Sequence, residues 1–344
     1  MSKKFLHRLF CVSIFIGGFC AMALIVAYNA FYGNAVSEAT SVYIDEETSF
    51  DDLRKQVEIL HGGSALKSAA FDIYAKRINL ATRYKVGHYR LDKGTSIIRI
   101  ARIFAIGEQT PVRLVVGSAR TIPQLASKLS RQIAADSAEL VKTLYNKEIR
   151  ASHGFVRDSI IALFIPNTYE VYWTISPEEL LQRMHREYNA FWNEARESKR
   201  EALKMSRYEV LTLASIVYEE TKATDEMARV AGVYINRLRK GIPLQADPTV
   251  KYALQDFELK RVLRKHLRTK SPHNTYINRG LPPSPICIPS IAAIDAVLGY
   301  EKHSYIYFCA RPEFDGRHNF ARTLREHNAN ARAYSAALDK LKIK

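Results

Sequence analysis

Four acidic residues stand close together in the stretch IVYEETKATDE, residues 216–226. Glu219 and Glu220 are adjacent at the end of an apolar run, and Asp225 and Glu226 follow after a short gap. Most acidic side chains lie in water and have no specific role. A carboxyl group withdrawn from water favours its protonated form and can act as a general acid near neutral pH. The chemistry therefore depends on which of the four is withdrawn from water.

The spacing of apolar residues predicts a helix over Tyr208–Thr221 with one face towards a core. Continuing that face along the helix reaches Glu220, whereas Glu219 is rotated by about 100° from it. Position therefore selects Glu220 as the carboxyl group directed towards the packed side, where it would be suited to general-acid chemistry, as in the cleavage of glycosidic bonds. The alternative is a solvated Glu220, or one paired with Arg229 or Arg237. The other two acids are predicted to begin the next helix, where negative charge is favourable.

The segments after this helix carry many side chains that can form hydrogen bonds. VAGVYINRLRKGIPLQADPTVKYAL, residues 230–254, predicts a helix that ends near Gly241, then a segment broken by Pro248. HNTYINRGLPPSPI, residues 273–286, and SYIYFCARPEFDGRHNF, residues 304–320, predict loops and a strand of the kind that a polyhydroxyl ligand requires. The candidate residues for binding the substrate or orienting the acid are Asn236, Gln245, Asp247, Thr249, Asn274, Thr275 and Tyr276. Each could instead stabilise a turn, and for Asp247 the two interpretations are equally weighted.

The N-terminus predicts a membrane anchor. Leu9–Gly33 contains no charged residue, and roughly 20 apolar residues match the thickness of a bilayer. The run is too long for a cleaved signal peptide and has no clear cleavage site. Basic residues precede it and acidic residues follow it, which predicts a cytoplasmic N-terminus with about 300 residues on the other side of the membrane.

The 344 residues carry a formal net charge of +16, which is typical of a protein with anionic surroundings. The exported location argues against a nucleic-acid partner. Cys287 and Cys309 fit either a disulfide or two buried thiols, and Cys11 and Cys20 lie within the anchor. The sequence has no metal-binding or nucleotide-binding motif, so we predict no metal and no cofactor. The basic run at 260–270 is interpreted as a solvated helix face, with contact to lipid or peptide carboxylates as the alternative.

Short strands and helices alternate between the anchor and residue 118, which predicts a small α+β module. The predicted elements are a strand at 41–47, helices at 50–60 and 65–78, a strand at 85–91, a helix capped by Thr95 and ending at Phe104, and a strand at 111–117. Beyond them we predict a capping box at Thr121–Gln124 and one charged helix over Met184–Arg200. The aromatic segment LFIPNTYEVYW, residues 163–173, is assigned to the core, with a sugar-stacking surface as the alternative.

Four motifs in order resemble the endolytic murein transglycosylase (YceG-like) family. They are LASIVYEET, VAGVYINRLRKGIPLQADPTVKYAL, NTYINRGLPPSPI and YFCARPEFDGRHNFARTLREHN, within a match that spans residues 85–332. The resemblance implies an α+β fold with one N-terminal transmembrane helix, a small LysM-like α+β module and a mixed α/β catalytic domain. The implied bounds are a cytoplasmic tail at 1–8, the anchor at 9–33, a linker at 34–42, the module at 43–118 and the catalytic domain at 119–344.

The resemblance implies that Glu220, which precedes Thr221, is the catalytic residue. It implies cleavage of nascent peptidoglycan glycan strands between N-acetylmuramic acid and N-acetylglucosamine, outside the cytoplasmic membrane. The products would end in 1,6-anhydro-N-acetylmuramic acid, and elongation of the strand would stop. Peptidoglycan synthases of the elongation or division machinery are the implied protein partners. The alternatives are a hydrolytic muramidase that uses Asp247 to activate water, and a non-catalytic peptidoglycan-binding scaffold.

The sequence departs from the family pattern at several loop positions. Ser284 stands where the family usually has glycine, and His273 stands where tyrosine is common. Ile288–Ser290 reads IPS in place of a typical NPG, and Tyr218 occupies the position of a frequent earlier acid. These differences concern the local shape of the loops more than the type of reaction.

Overall fold

A computed structural model describes residues 3–152, 154, 157–259 and 261–340. Residues 1 and 2 of the predicted cytoplasmic tail, and Lys260 at the start of the basic run, lie outside the described residues. The chain divides into two compact units. The first consists of the residues up to Arg113 with Glu170–Ile175, and the second of Leu114–Tyr169 with the residues from Ser176 onwards.

The described residues form a mixture of helices and short strands. The α-helices are α1 (Lys3–Tyr32), α2 (Phe50–Leu60), α3 (Ala65–Arg77), α4 (Ile97–Ile106), α5 (Ile122–Leu129), α6 (Ser137–Tyr145), α7 (Lys147–Ser152), α8 (Pro177–Phe191), α9 (Glu194–Leu203), α10 (Arg207–Glu220), α11 (Thr224–Arg239), α12 (Asp247–Leu254), α13 (Ile291–Leu298) and α14 (Leu324–Lys340). Short 3₁₀ helices span Leu80–Thr82, Arg157–Leu163 and His266–Arg268.

The strands pair two by two. They are β1 (Thr40–Ile44), β2 (Gly87–Leu91), β3 (Val112–Val116), β4 (Asn167–Val171), β5 (Tyr307–Ala310) and β6 (His318–Ala321). The pairs are β1 with β2, β3 with β4, and β5 with β6. The first pair is antiparallel with Val42 opposite Tyr89, and the last is antiparallel with Phe308 opposite Phe320. The predicted mixed composition of helix and sheet is confirmed.

Helix α1 contains the apolar span Phe10–Tyr32, whose 23 residues are long enough and apolar enough to cross a membrane. Its last turn packs into the core of the first unit through Ala30. The backbone N–H of Ala35 donates to Thr95, and the carbonyl of Val36 accepts from Gly94. The segment that we predicted as a linker is therefore packed against the first unit directly after the helix.

The first unit follows the predicted order of elements, with one cap corrected. Helices α2 and α3 lie between β1 and β2 in sequence, and α2 has the predicted bounds. Helix α4 is capped by Ser96, whose hydroxyl accepts from the N–H of Arg99, and it ends at Ile106. The predicted cap, Thr95, instead donates its hydroxyl proton to the carbonyl of Asp92. Both residues fit the composition of a cap, so sequence could not separate neighbours.

Two local predictions in the second unit are corrected. Thr121 caps α5 as predicted, but the side-chain oxygen of Gln124 accepts from the N–H of Arg120 and leaves the box incomplete. The single helix predicted over 184–200 is two helices, α8 and α9. Asn193 separates them because its side chain accepts from the N–H of Arg196 and caps a new helix. In the aromatic segment, Phe164 and Tyr169 are buried, in agreement with the predicted core role, whereas Tyr172 is 56% exposed.

Helix α10 is the central element of the second unit around the site. Ser206 and Glu209 form a capping box at its start, and every residue from Val210 to Val217 is buried. The helix ends at Glu220 because Thr221 adopts an extended conformation. The next helix, α11, begins at Thr224 and contacts α10, so the ends and beginnings of these helices form the framework of the site.

Candidate active site

Glu220 is the last residue of α10 and lines a cavity of about 440 Å³ that lies within the second unit. The hydroxyl of Tyr234, a residue of α11 that is only 1% exposed, donates to its Oε1 at 2.6 Å. Burial raises the pKa of Glu220 to about 7, and the charge of Asp247 acts in the same direction. The hydrogen bond from Tyr234 opposes this rise because it stabilises the carboxylate. Near neutral pH the group can therefore both donate and accept a proton.

Glu219 has a different environment, although it is the next residue in the chain. Its carboxylate pairs with the guanidinium of Arg120 at 2.7 Å. The helical phase that separated the two glutamates in the sequence thus also separates their partners in the structure. The arginines named as alternative partners of Glu220 are engaged elsewhere: Arg229 pairs with Glu301, and Arg237 donates to the carbonyl of Leu244.

Three of the predicted binding residues, Gln245, Asp247 and Tyr276, line the same cavity as Glu220. The Tyr276 hydroxyl donates to Asp247 at 2.6 Å. Burial raises the pKa of Tyr276, and the hydrogen bond to Asp247 acts in the same direction. Asp247 is exposed and begins α12, followed by Pro248 in the first turn. Pro248 therefore opens a helix, in contrast to the predicted break, because the first turn needs no N–H donor there.

The other predicted binding residues lie behind the cavity. Thr249 and Thr275 are buried, and their hydroxyls bond each other at 2.8 Å. Asn274 is also buried and donates its amide protons to the carbonyls of Leu267 and Thr269. The amide of Asn236 donates to the carbonyls of residues 303 and 305. These four side chains hold loops in place, and a contact with substrate stays a prediction for each of them.

The cavity has a wall that the sequence did not identify. Tyr307 of β5 stacks on His327 of α14 at 5.2 Å between ring centres, and Arg237 lies 5.4 Å from the Tyr307 ring. Asn328 of α14 also lines the cavity. Strand β5 and the start of α14 belong to the motif YFCARPEFDGRHNFARTLREHN. The spacing of its residues does not indicate which of them line the same cavity as Glu220. The sequence also did not identify Tyr234 as a site residue. The available signal was its position three residues before Arg237, which puts both side chains on one face of the helix.

A second glutamate, close by in the chain, is more deeply buried than Glu220. Glu226 begins α11 as predicted, but it is only 2% exposed. One oxygen accepts from the backbone N–H of His318 at 3.1 Å, and the other lies 2.9 Å from its Nδ1. His318 lines the cavity, so Glu226 fixes one of its wall residues from behind.

Two of the departures from the family pattern satisfy each other. The imidazole of His273 lies 2.7 Å from the hydroxyl of Ser284, and Ser284 is buried. In the IPS segment, Ile288 is buried and Ser290 caps α13 by accepting from Ala293. These residues therefore lie in packed loops, and they are not among the residues that line the cavity.

The described cysteines are all free thiols. Cys287 is buried, with its Sγ 3.7 Å from the carbonyl of Ser215, and Cys309 is half-buried. The structure therefore agrees with the thiol alternative and not with a disulfide between them. Among the residues that the structure describes, no group of three or more His, Cys, Asp or Glu side chains could hold a metal ion.

The chain is similar in sequence to a known protein family and to named bacterial proteins. A family model for the YceG-like family matches residues 42–333. A Bacillus subtilis protein named endolytic murein transglycosylase is 29% identical over 293 residues, which are 80% of this chain and 80% of that protein. A Streptococcus pneumoniae protein of the same name is 26% identical over 295 residues, 76% of this chain and 52% of that protein. The chain thus spans about half the length of the streptococcal relative.

A crystal structure of a yceG-like protein from Listeria monocytogenes is similar in fold, with a TM-score of 0.59 at 28% identity. The similarity covers 85% of this chain and 98% of the Listeria chain. The fold and the site define a protein of mixed helix and sheet, with an apolar N-terminal helix and a half-buried glutamate in a polar cavity. The chain belongs to the YceG-like family.

Proposed function

We propose that this protein is a membrane-anchored endolytic transglycosylase of peptidoglycan. It cleaves glycan strands between N-acetylmuramic acid and N-acetylglucosamine, and leaves 1,6-anhydro-N-acetylmuramic acid at the new end. Relatives with the name endolytic murein transglycosylase support the reaction class. The observation that carries the proposal is the environment of Glu220, a half-buried carboxyl group with a pKa of about 7 that lines a polar cavity.

The proposed mechanism uses Glu220 twice. Its protonated carboxyl group donates a proton to the glycosidic oxygen, and the bond from C1 of N-acetylmuramic acid to that oxygen breaks. The resulting carboxylate then takes the proton of the C6 hydroxyl of the same muramic acid, and O6 bonds to C1. The proton count balances, because Glu220 ends protonated and the released sugar carries a new hydroxyl. The intramolecular attack makes a second carboxylate unnecessary, unlike in two-carboxylate hydrolases.

Tyr234 suits both halves of this cycle. Its hydroxyl stabilises the carboxylate that forms after the first proton transfer, while burial favours the protonated acid before it. The two influences oppose each other, and their balance keeps the pKa of Glu220 close to neutrality. A group so balanced is matched to acid and base steps at the same pH.

The apolar helix α1 is the proposed anchor in the cytoplasmic membrane. Lys3, Lys4 and Arg8 precede the span, and acidic residues follow it, which supports a cytoplasmic N-terminus and a catalytic unit outside. The first unit is proposed to be a LysM-like module, and its sheet of β1 and β2 with two intervening helices supports a small α+β module. Peptidoglycan synthases are the proposed protein partners, because a strand-terminating enzyme must act where strands are made.

The decisive experiment is the analysis of products by mass spectrometry after the full-length chain, in detergent micelles, has digested purified glycan strands. We expect fragments from within the strand that end in 1,6-anhydro-N-acetylmuramic acid. Fragments with only reducing ends would contradict the proposal and support hydrolysis. An absence of new ends, with strand binding retained, would support the scaffold alternative.

Hydrolysis is the second candidate because Asp247 lines the cavity together with Glu220. A carboxylate in that position could activate a water molecule as a general base. Its hydrogen bond from Tyr276 instead supports a role in shaping the cavity or holding the sugar. If Asp247 activated water, reducing ends would dominate the products and would disappear in Asp247→Asn.

A further inference from the structure

Gln245 has a backbone conformation that is unusual for its residue type. Its φ is +52°, in the left-handed region that non-glycine residues rarely occupy. The residue lies between buried Leu244 and Ala246 in the connection from α11 to α12, yet its own side chain is exposed. Packing therefore does not explain why this position carries a glutamine in place of a glycine.

Hydrogen bonds to Thr275 hold this backbone in place. The N–H of Gln245 donates to the carbonyl of Thr275 at 3.0 Å, and the N–H of Ala246 donates to its hydroxyl at 3.1 Å. The hydroxyl of Thr275 also bonds Thr249, and both threonines are buried. A strained residue that its surroundings fix so firmly is often part of a functional site.

Arg237 determines which way the amide of Gln245 faces. This arginine is 7% exposed, and it donates one N–H to the carbonyl of Leu244 and another to Oε1 of Gln245 at 2.9 Å. Arginine can only donate hydrogen bonds, so the amide oxygen must face it and the NH₂ group must face away. Within the described part of the chain, no residue bonds that NH₂ group, and Gln245 lines the cavity with Glu220.

Two of the polar side chains that line the cavity differ in the hydrogen bonds that they can form. Asp247 is a carboxylate that suits the hydroxyl groups of a sugar, which can donate hydrogen bonds. Gln245 contributes two N–H donors, which suit a group that only accepts. The carbonyl oxygen of a 2-acetamido group is such an acceptor, and both sugars of a peptidoglycan strand carry one.

We propose that Gln245 donates a hydrogen bond to the acetamido carbonyl of the bound glycan, and that Arg237 is the positioning residue that orients its amide. The inference rests on the proposed function, since it assumes that a peptidoglycan strand occupies the cavity. It adds the group of the substrate that the cavity recognises. The same glycan strands without the acetamido group would lose this hydrogen bond.

The test measures binding by the full-length Glu220→Gln chain in detergent micelles, because this parent should not cleave its ligand. The two ligands are N-acetylated glycan strands and the same strands after chemical de-N-acetylation. We expect the parent to bind the acetylated strands about tenfold more tightly, a typical effect of one lost hydrogen bond to a buried or oriented group. Adding Gln245→Gly should weaken binding of the acetylated strands about tenfold and remove the preference.

Gln255 provides a matched control. It has a φ of +53° at the end of α12, and its amide donates to the carbonyl of Tyr252. Gln255→Gly relieves the same backbone conformation and should keep the preference. Both glycine variants should melt at or above the temperature of the parent, so a loss of binding in only one of them reports the side chain and not the fold.

Arg237→Lys tests the positioning role. Lysine keeps the charge but lacks the fork that holds two oxygens, so the preference for acetylated strands should decrease. Combined with Gln245→Gly, it should reduce the preference no further, because both changes remove the same hydrogen bond. An additive loss of preference would overturn the role of Arg237.

The outcomes distinguish the two proposals. A parent that binds both strands equally, or a Gln245→Gly variant that keeps the preference, would overturn the role of Gln245 while the product analysis of the wild-type chain still stands. A wild-type chain that makes no anhydro ends would overturn the proposed function, whatever the preference of the binding variants. A parent that binds neither strand would overturn this inference.

Discussion

Glu220, half-buried at the end of α10, and Glu226, buried in the first turn of α11, have different surroundings. Glu220 faces a cavity and has a neutral partner, the hydroxyl of Tyr234, on one of its oxygens. Glu226 lies behind the cavity, and His318 contacts both of its oxygens through its backbone and its ring. Withdrawal from water alone is therefore not enough for the general acid that we propose at Glu220. The acid also needs access to substrate and a partner that leaves it free to exchange its proton.

The strongest test of this comparison makes the same substitution at both positions. Glu220→Gln should lower kcat for glycan cleavage by about 10³-fold, because it removes the proton that the leaving oxygen requires. Glu226→Gln should lower kcat by less than about tenfold and mainly reduce stability, by about 1 kcal/mol, through the altered contact with His318. Release of soluble fragments by the full-length chain measures the first effect, and thermal unfolding measures the second. Equal losses of kcat would show that Glu220 and Glu226 are equally important for cleavage, and would contradict the distinction between them.

The second test uses the pH dependence of stability. The pKa of Glu220 is raised from 4.5 to about 7 in the folded chain, so the folded state binds more protons than the unfolded state between these values. The contribution of Glu220 to the free energy of unfolding is therefore fully present below about pH 4.5, and it is lost as the pH rises through 7. Since each pKa unit corresponds to about 1.4 kcal/mol, the total loss is about 3 kcal/mol.

Glu220→Gln cannot ionise and should escape this loss. The stability of the variant relative to the wild-type chain should thus increase by about 3 kcal/mol between pH 4.5 and pH 8. Fluorescence of the buried Trp192, which belongs to the same unit, follows unfolding during a thermal scan. A difference that does not change with pH would mean that the carboxyl group of Glu220 is not withdrawn from water.

The third test concerns the partner of the acid. The rate of cleavage should decrease above about pH 7, since only the protonated Glu220 can donate to the glycosidic oxygen. Tyr234→Phe removes the hydrogen bond that favours the carboxylate, so the pKa of Glu220 should rise. The alkaline limb of the pH–rate profile should then move to higher pH by about one unit. A pH–rate profile of kcat/KM for both chains measures the shift. A limb that moves to lower pH would show that Tyr234 favours the protonated form instead.

The parts of the structure that depend on nearby residues could be predicted from the sequence. The bounds of α2 and the course of α10 follow from apolar spacing and from capping residues within a few positions. The phase of one helix also separates Glu220, which lines the cavity, from Glu219, which pairs with Arg120. The break at Asn193 was missed because the charged helical pattern continues on both sides of it.

The parts that depend on distant residues could not be predicted. The contact of Glu226 with His318 joins residues that are 92 positions apart, so no local sequence pattern predicts it. The cavity wall formed by Tyr307 and His327 depends on how β5 and α14 pack near α11 in the folded chain. The burial of Thr275 likewise follows from packing against Thr249, 26 positions away. Composition identified these segments as polar, but it could not separate the residues that line the cavity from those that support it.

The smallest expected effect belongs to Glu219, the neighbour of the acid. Its pair with Arg120 is partly exposed, with side-chain exposures of 15% and 35%, so Glu219→Gln should lower stability by about 0.5 kcal/mol. The negative charge of Glu219 helps to raise the pKa of Glu220, so its removal should shift the alkaline limb slightly to lower pH, opposite to Tyr234→Phe. The pH–rate profile that measures Tyr234→Phe also measures this shift. If Glu219→Gln lowered kcat as far as Glu220→Gln, helical phase would not separate the acid from its neighbour.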